Sequence, residues 1–79
     1  MKLLVTIPLG LHNDLLGRCE MTAPRYSLLK NGLLAEGTDG EQLVNILCGP
    51  TQAYEIIAWV RQIYSDADSR ISISPGSVA

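Results

Sequence analysis

The sequence predicts an α+β fold for this chain of 79 residues. Three observations carry the expectation. Residues Lys2–Ile7 and Arg70–Ser74 alternate apolar and polar or β-branched side chains as strands do; residues 50–67 carry a helical stripe of apolar residues; and Asn31-Gly32 and Asp39-Gly40 are hairpin dipeptides lying between them. With 47% hydrophobic and 18% charged residues, the chain has enough apolar surface to offset its conformational entropy and fold. Its length fits one small domain, residues 1–79, with 76–79 as a frayed tail. A domain of this size buries only about 60–65% of its unfolded surface. A shallow cleft, or one between subunits, is therefore expected rather than a deep private cavity.

The first strand has Leu3, Val5 and Ile7 on one face and Leu4 and Thr6 on the other, and Pro8 closes it. From Leu9 to Met21, Leu11, Leu15 and Cys19 recur every four residues, which suits a short helix capped by Asn13 or Asp14 and weakened by Gly10 and Gly17. Ala23-Pro24 breaks that segment. Residues 26–36 then allow two readings. Either 26–30, 33–36 and 41–48 form a three-stranded meander, or Asn31-Gly32 is a bulge in one longer strand paired with 41–48; the second is preferred. Ala53, Ile56, Ile57, Val60, Ile63, Tyr64 and Ala67 share a stripe roughly 120° wide at about 100° per residue, so Pro50–Ala67 is an amphipathic helix. Pro50 fits its first position, Gly49 caps it, and Gln52 reaches back to Gly49. A last strand carries Ile71 and Ile73 inward and stops at Pro75-Gly76.

In order these elements read β-α-β-β-α-β, which resembles the split βαβ or ferredoxin-like architecture: a four-stranded antiparallel sheet with two helices on one face. The alternative is a β-meander plus one long helix. The architecture hosts many functions, and each needs its own residues. Here there is no C-x-x-C for a soft metal and no Arg-rich glycine loop near Pro8-Leu9-Gly10, and residues 42–47 lack the stacking aromatics of an RNA-recognition sheet.

Charge and composition exclude further classes. Six basic against eight acidic residues give a net charge of -2, with a pI near 5.1 and no basic stripe, so nucleic acid is not an expected partner. No apolar run approaches the roughly 20 residues of a membrane span. Lys2 before the apolar run to Leu11 imitates a secretion signal, but Arg18 stands where a small residue would precede Cys19, so a cytoplasmic chain is expected. Cys19 and Cys48 make no disulfide framework. No cofactor is implied, and no metal either, since one histidine and scattered acids give no ligand set. Asp66 is placed to pair with Arg70, and the remaining acids read as turns and solvated surface.

Two places remain as candidate sites. Cys48 ends a strand where Gly49-Pro50 opens a helix, so Cys48, Gly49, Thr51 and Gln52 form a possible small-anion corner. The dipole there favours a thiolate, which makes Cys48 the nucleophile of an alternative, thiol-dependent or acyl- or phosphoryl-handling enzyme; the plain reading is a buried small hydrophobe. His12 and Cys19 lie roughly 10 Å apart on one helix and cannot pair, and His12 is read as an exposed cap. The second place is the sheet. If Leu3, Val5, Ile7, Val44, Ile46 and Cys48 face the helices, then Leu4, Thr6, Leu43, Asn45 and Leu47 lie on an open, largely apolar face. Trp59, about 40° outside its helix stripe, reads as a rim aromatic suited to contacts. The expectation is a non-catalytic interaction or ligand-binding module that forms a homodimer through the open face, with another protein or a small anion as further possible partners.

Overall fold

The computed structural model describes residues 1–18 and 22–76. Its elements run β1 (Leu3–Pro8), α1 (Leu9–Leu16), α2 (Ala23–Lys30), β2 (Leu33–Glu36), β3 (Gln42–Cys48), α3 (Pro50–Ile63), α4 (Ala67–Arg70) and β4 (Ser72–Pro75). The strands form one antiparallel sheet in the order β2-β3-β1-β4. β1 and β2 thus both flank β3, and β3 and β4 both flank β1.

The alternation seen in the sequence fixes the faces. Leu3, Val5 and Ile7 pair with Cys48, Ile46 and Val44, and all six are buried against Leu11, Leu15, Leu29 and the inner side of α3. Ile71, just before β4, joins the same core, and Ile73 packs on its edge. Across the sheet, Leu4, Thr6, Leu43 and Asn45 are half-buried and Leu47 is exposed. In antiparallel pairing opposite residues share a face, so Leu33 and Ala35, opposite Asn45 and Leu43, and Ser72 and Ser74, opposite Thr6 and Leu4, extend that side.

The segment from Ala23 to Lys30 corrects the sequence reading. It is helix α2, neither a long bulged strand nor part of a meander, and the first crossover therefore holds two helices instead of one. Thr22 accepts the Arg25 N–H at 3.4 Å as a cap, and Pro24 sits in the first turn where its missing N–H costs nothing. Asn31-Gly32, a hairpin signal by itself, is with Lys30 equally a helix end: a cation in the last turn, then Asn and Gly. Gly32 is required there by packing, because a Cβ built on it would lie 2.3 Å from Val44 Cγ1 and 3.2 Å from the Leu29 carbonyl. Gly32→Ala should therefore cost about 1–3 kcal/mol, read as a lower urea midpoint; an unchanged midpoint would mean α2 does not press on β3. The second dipeptide does make its turn, with Gly40 at φ 77°.

Other boundaries shift for local reasons. α1 begins directly after Pro8, so Asn13 and Asp14 lie inside it, not at its cap, and Gly17 closes it by bonding the carbonyls of both. α3 ends at Ile63, where Tyr64 turns extended while its N–H still reaches Val60. The stripe continued to Ala67 because α4 buries that residue in its own turn. Asp66 does not pair with Arg70: Asp68 binds Arg61 at 2.8 Å and Arg70 lies over the Tyr64 ring. Gly76, taken as the start of a frayed tail, donates to the Lys2 carbonyl at 2.9 Å and extends the β1–β4 edge; residues 77–79 lie outside the described residues, as does Cys19.

Candidate functional site

The open sheet face is the first candidate. β1 and β3 form its centre and β2 and β4 its edges. None of its strand residues carries a charge: the surface is Leu4, Leu33, Leu43 and Leu47 with Ala35 and Pro8, a Thr6–Asn45 side-chain hydrogen bond of 2.9 Å in the middle, and two serines on β4. Leu47 is 54% exposed and Leu33 is 73% exposed. A shallow depression of about 440 Å³ lies at the Pro8 end, bounded by Leu43, Glu41 and residues 68–72.

The Cys48 corner is the second. β1–β3 pairing sets Cys48 opposite Leu3, at the far end of β1 from His12, so the two cannot meet. Cys48 is buried, and its carbon-lined setting pushes the thiol pKa up from its ordinary value; the charge of Lys2 offsets part of this. Desolvation thus outweighs the Lys2 charge, and burial works against a thiolate at this position. The Gly49 N–H donates to Gln52 Oε1 at 3.1 Å, the capping contact that the sequence predicts. Thr51 and Gln52 are exposed. Folding holds the thiol's proton more tightly than the unfolded chain does. Cys48 therefore favours the folded state below the unfolded thiol's pKa and loses that contribution as pH rises through the folded value. Wild type should lose thermal stability faster than Cys48→Ala above about pH 9. Parallel profiles would show that the thiol titrates freely.

Sequence reasoning misplaced two residues. His12 is buried, and its Nε2 donates to the Leu29 carbonyl at 2.8 Å, holding the end of α2 against α1. A carbonyl only accepts, so Nε2 carries the proton; Nδ1 is buried with no hydrogen-bond partner among the described residues. Trp59, expected as an interface aromatic at the helix rim, is 4% exposed and lies on the helical side of the sheet, away from the open face. Arg25 of α2 covers its ring, with the guanidinium carbon 4.7 Å from the centroid. Both residues are buried by α2, the element the sequence reading had cast as a strand. Tyr64 binds the Asp14 carboxylate through its hydroxyl and ties the end of α3 to α1.

Among the described residues no cluster of three or more His, Cys, Asp or Glu could hold a metal ion, and no helix is long and apolar enough to cross a membrane. The chain matches no family model, no curated protein and no solved structure.

Proposed function

We propose that this chain is a small interaction module that pairs with a second copy of itself through the open face of the sheet. The observation that carries the reading is the uncharged, leucine-rich face described above, because monomeric surfaces usually break such a patch with charge. A second copy fits the charges at its ends. Lys2 stands one position before β1 and Glu41 one position before β3, and these strands are antiparallel, so the two charges bracket the face at opposite ends. A two-fold axis across the strands brings Lys2 of each copy toward Glu41 of the other; an axis along the strands sets like against like. The same reading takes the architecture as ferredoxin-like with an added helix in the first crossover. It is supported by the strand order, which from the β4 edge reads β4-β1-β3-β2, with each crossover passing one intervening strand.

The face is small. At about 4.8 Å between strands and 3.3 Å per residue, four strands by six residues span roughly 19 by 20 Å. That is short of the about 800 Å² per partner of a standard interface, so a micromolar dimer is expected. Sedimentation equilibrium across a wide concentration range tests this. A concentration-dependent monomer–dimer distribution supports the reading, and a clean monomer at millimolar concentration rules it out. The orientation has its own test: Lys2→Glu should weaken association about fivefold, from two rim pairs at a few tenths of a kcal/mol each, and adding Glu41→Lys should restore it. Association that ignores both changes would exclude the antiparallel arrangement.

A further inference from the structure

Asn31-Gly32, where α2 ends, carries a chemistry that the pairing above does not use. An asparagine side-chain amide can be attacked by the backbone nitrogen of the next residue, provided that nitrogen is open to approach and the peptide is free to turn. The chain has three asparagines. Asn13 lies inside α1 and is followed by Asp14; Asn45 lies inside β3, accepts the Thr6 hydroxyl at 2.9 Å and is followed by branched Ile46. Asn31 alone is followed by glycine, which sets no side chain beside the nucleophile, and it stands exposed at the cap of α2. Little holds it there. Asn31 has ψ 0°, and the Gly32 N–H donates to the Leu29 carbonyl at 3.1 Å. Ring closure needs Asn31 Cβ and the Gly32 nitrogen eclipsed about the Cα–C bond, so ψ must rotate and that hydrogen bond must open. Leu29 is the one fully buried residue of α2, and a helix end with so few buried contacts opens at the low end of the local stability range.

We infer that Asn31 is a self-modification site whose conversion unseats the end of α2. The Gly32 nitrogen loses its proton and bonds to Asn31 Cγ, and the side-chain nitrogen leaves as ammonia. Water then opens the five-membered imide at either carbonyl, leaving aspartate or isoaspartate at position 31. Isoaspartate routes the main chain through Cβ, one carbon longer, and puts a carboxylate at the negative end of the helix dipole. Gly32 has no room for the added length, because a carbon built on its Cα meets the side chains of Val44 and Ile46 and the Leu29 carbonyl. The lengthened chain therefore cannot keep Gly32 against β3, and the Leu29 carbonyl is drawn from His12 Nε2. Both residues lie between α2 and β2, outside the strands of the open face, so the reaction does not depend on self-pairing.

Ageing the intact chain in mildly alkaline buffer, folded and in urea, with peptide mapping and isoaspartate detection, tests this. The folded chain should convert at Asn31 about fivefold more slowly than in urea, the scale of the one hydrogen bond that must open, while Asn13 and Asn45 stay intact. Mapping separates this product from Asp39-Gly40, which can isomerise without losing ammonia. Asn31→Gln, whose longer side chain closes its ring far more slowly, should stay unmodified. The purified isoaspartyl form should unfold at a lower urea midpoint than wild type. Freshly prepared Asn31→Asp, which has the new charge without the extra carbon, should lie much nearer wild type. A folded chain that keeps Asn31 intact while the chain in urea converts fully, or an isoaspartyl form with the wild-type midpoint, overturns the inference.

Discussion

Trp59→Ala should remove about 3–5 kcal/mol from the folding free energy. At about 0.05–0.15 kcal/mol per residue, a chain of 79 residues has about 4–12 kcal/mol to lose. Urea denaturation followed by far-ultraviolet circular dichroism should find a midpoint far below that of wild type. The size of the loss comes from position: Trp59 is 4% exposed, shares the core with Ile56 and Val60, and carries Arg25 of α2 on its ring. Truncation opens a void under α2 and removes that helix's cationic contact at once. Trp59→Phe separates the two sides of the indole. It too leaves some volume unfilled, but it also deletes the unpartnered buried N–H, and release of that desolvation cost of about 1–3 kcal/mol works in its favour. The phenylalanine variant should therefore lie much nearer wild type than loss of volume alone implies. A loss below 1 kcal/mol for Trp59→Ala would mean that α2 does not seal the core.

The contrast between what the sequence revealed and what it hid follows from where each residue's partners lie. β1, β3 and α3 each carry a periodic apolar set dense enough to read alone, and β1–β3 pairing then places both faces of the sheet centre. α2 has no such stripe. Of its eight residues only Leu29 is buried, with Leu28 and Arg25 partly so, and two adjacent leucines look like a strand as readily as a helix. The signals that could have identified it were its ends, Thr22 with Pro24 and Lys30-Asn31-Gly32, not its hydrophobicity. Once α2 is a helix, the corrected placements of His12 and Trp59 follow, because the Leu29 carbonyl and the Arg25 guanidinium that bury them belong to it. No pattern within α1 or α3 alone contains those contacts. Cys48 shows the opposite limit: its place at a strand–helix junction was legible, but the balance between dipole and desolvation depends on how completely the junction is covered.

Leu43→Lys with Leu47→Lys is the change expected to act most strongly on association. Both residues lie on β3 on the open face, with Leu47 more than half exposed and Leu43 partly so. In a two-fold dimer the double variant brings four ammonium groups into an interface that holds no acid within the strands. The dissociation constant should rise at least about a hundredfold, a little under 3 kcal/mol. Sedimentation equilibrium should then show a monomer wherever wild type is a dimer. Folding should survive, because neither leucine belongs to the buried core and a lysine stem can lie along the sheet with its charge in water. The competing geometry is edge pairing through β2, whose outer side has no strand neighbour. Leu34 decides between them: it is 73% exposed but, opposite Val44, projects to the helical side of that edge strand. Face pairing leaves Leu34→Lys as associated as wild type, whereas edge pairing buries Leu34 beside its copy and makes this variant the dissociating one. A folded Leu43→Lys, Leu47→Lys protein that still dimerises like wild type would exclude the open face as the interface, and dissociation by Leu34→Lys alone would move the interface to the edge of β2.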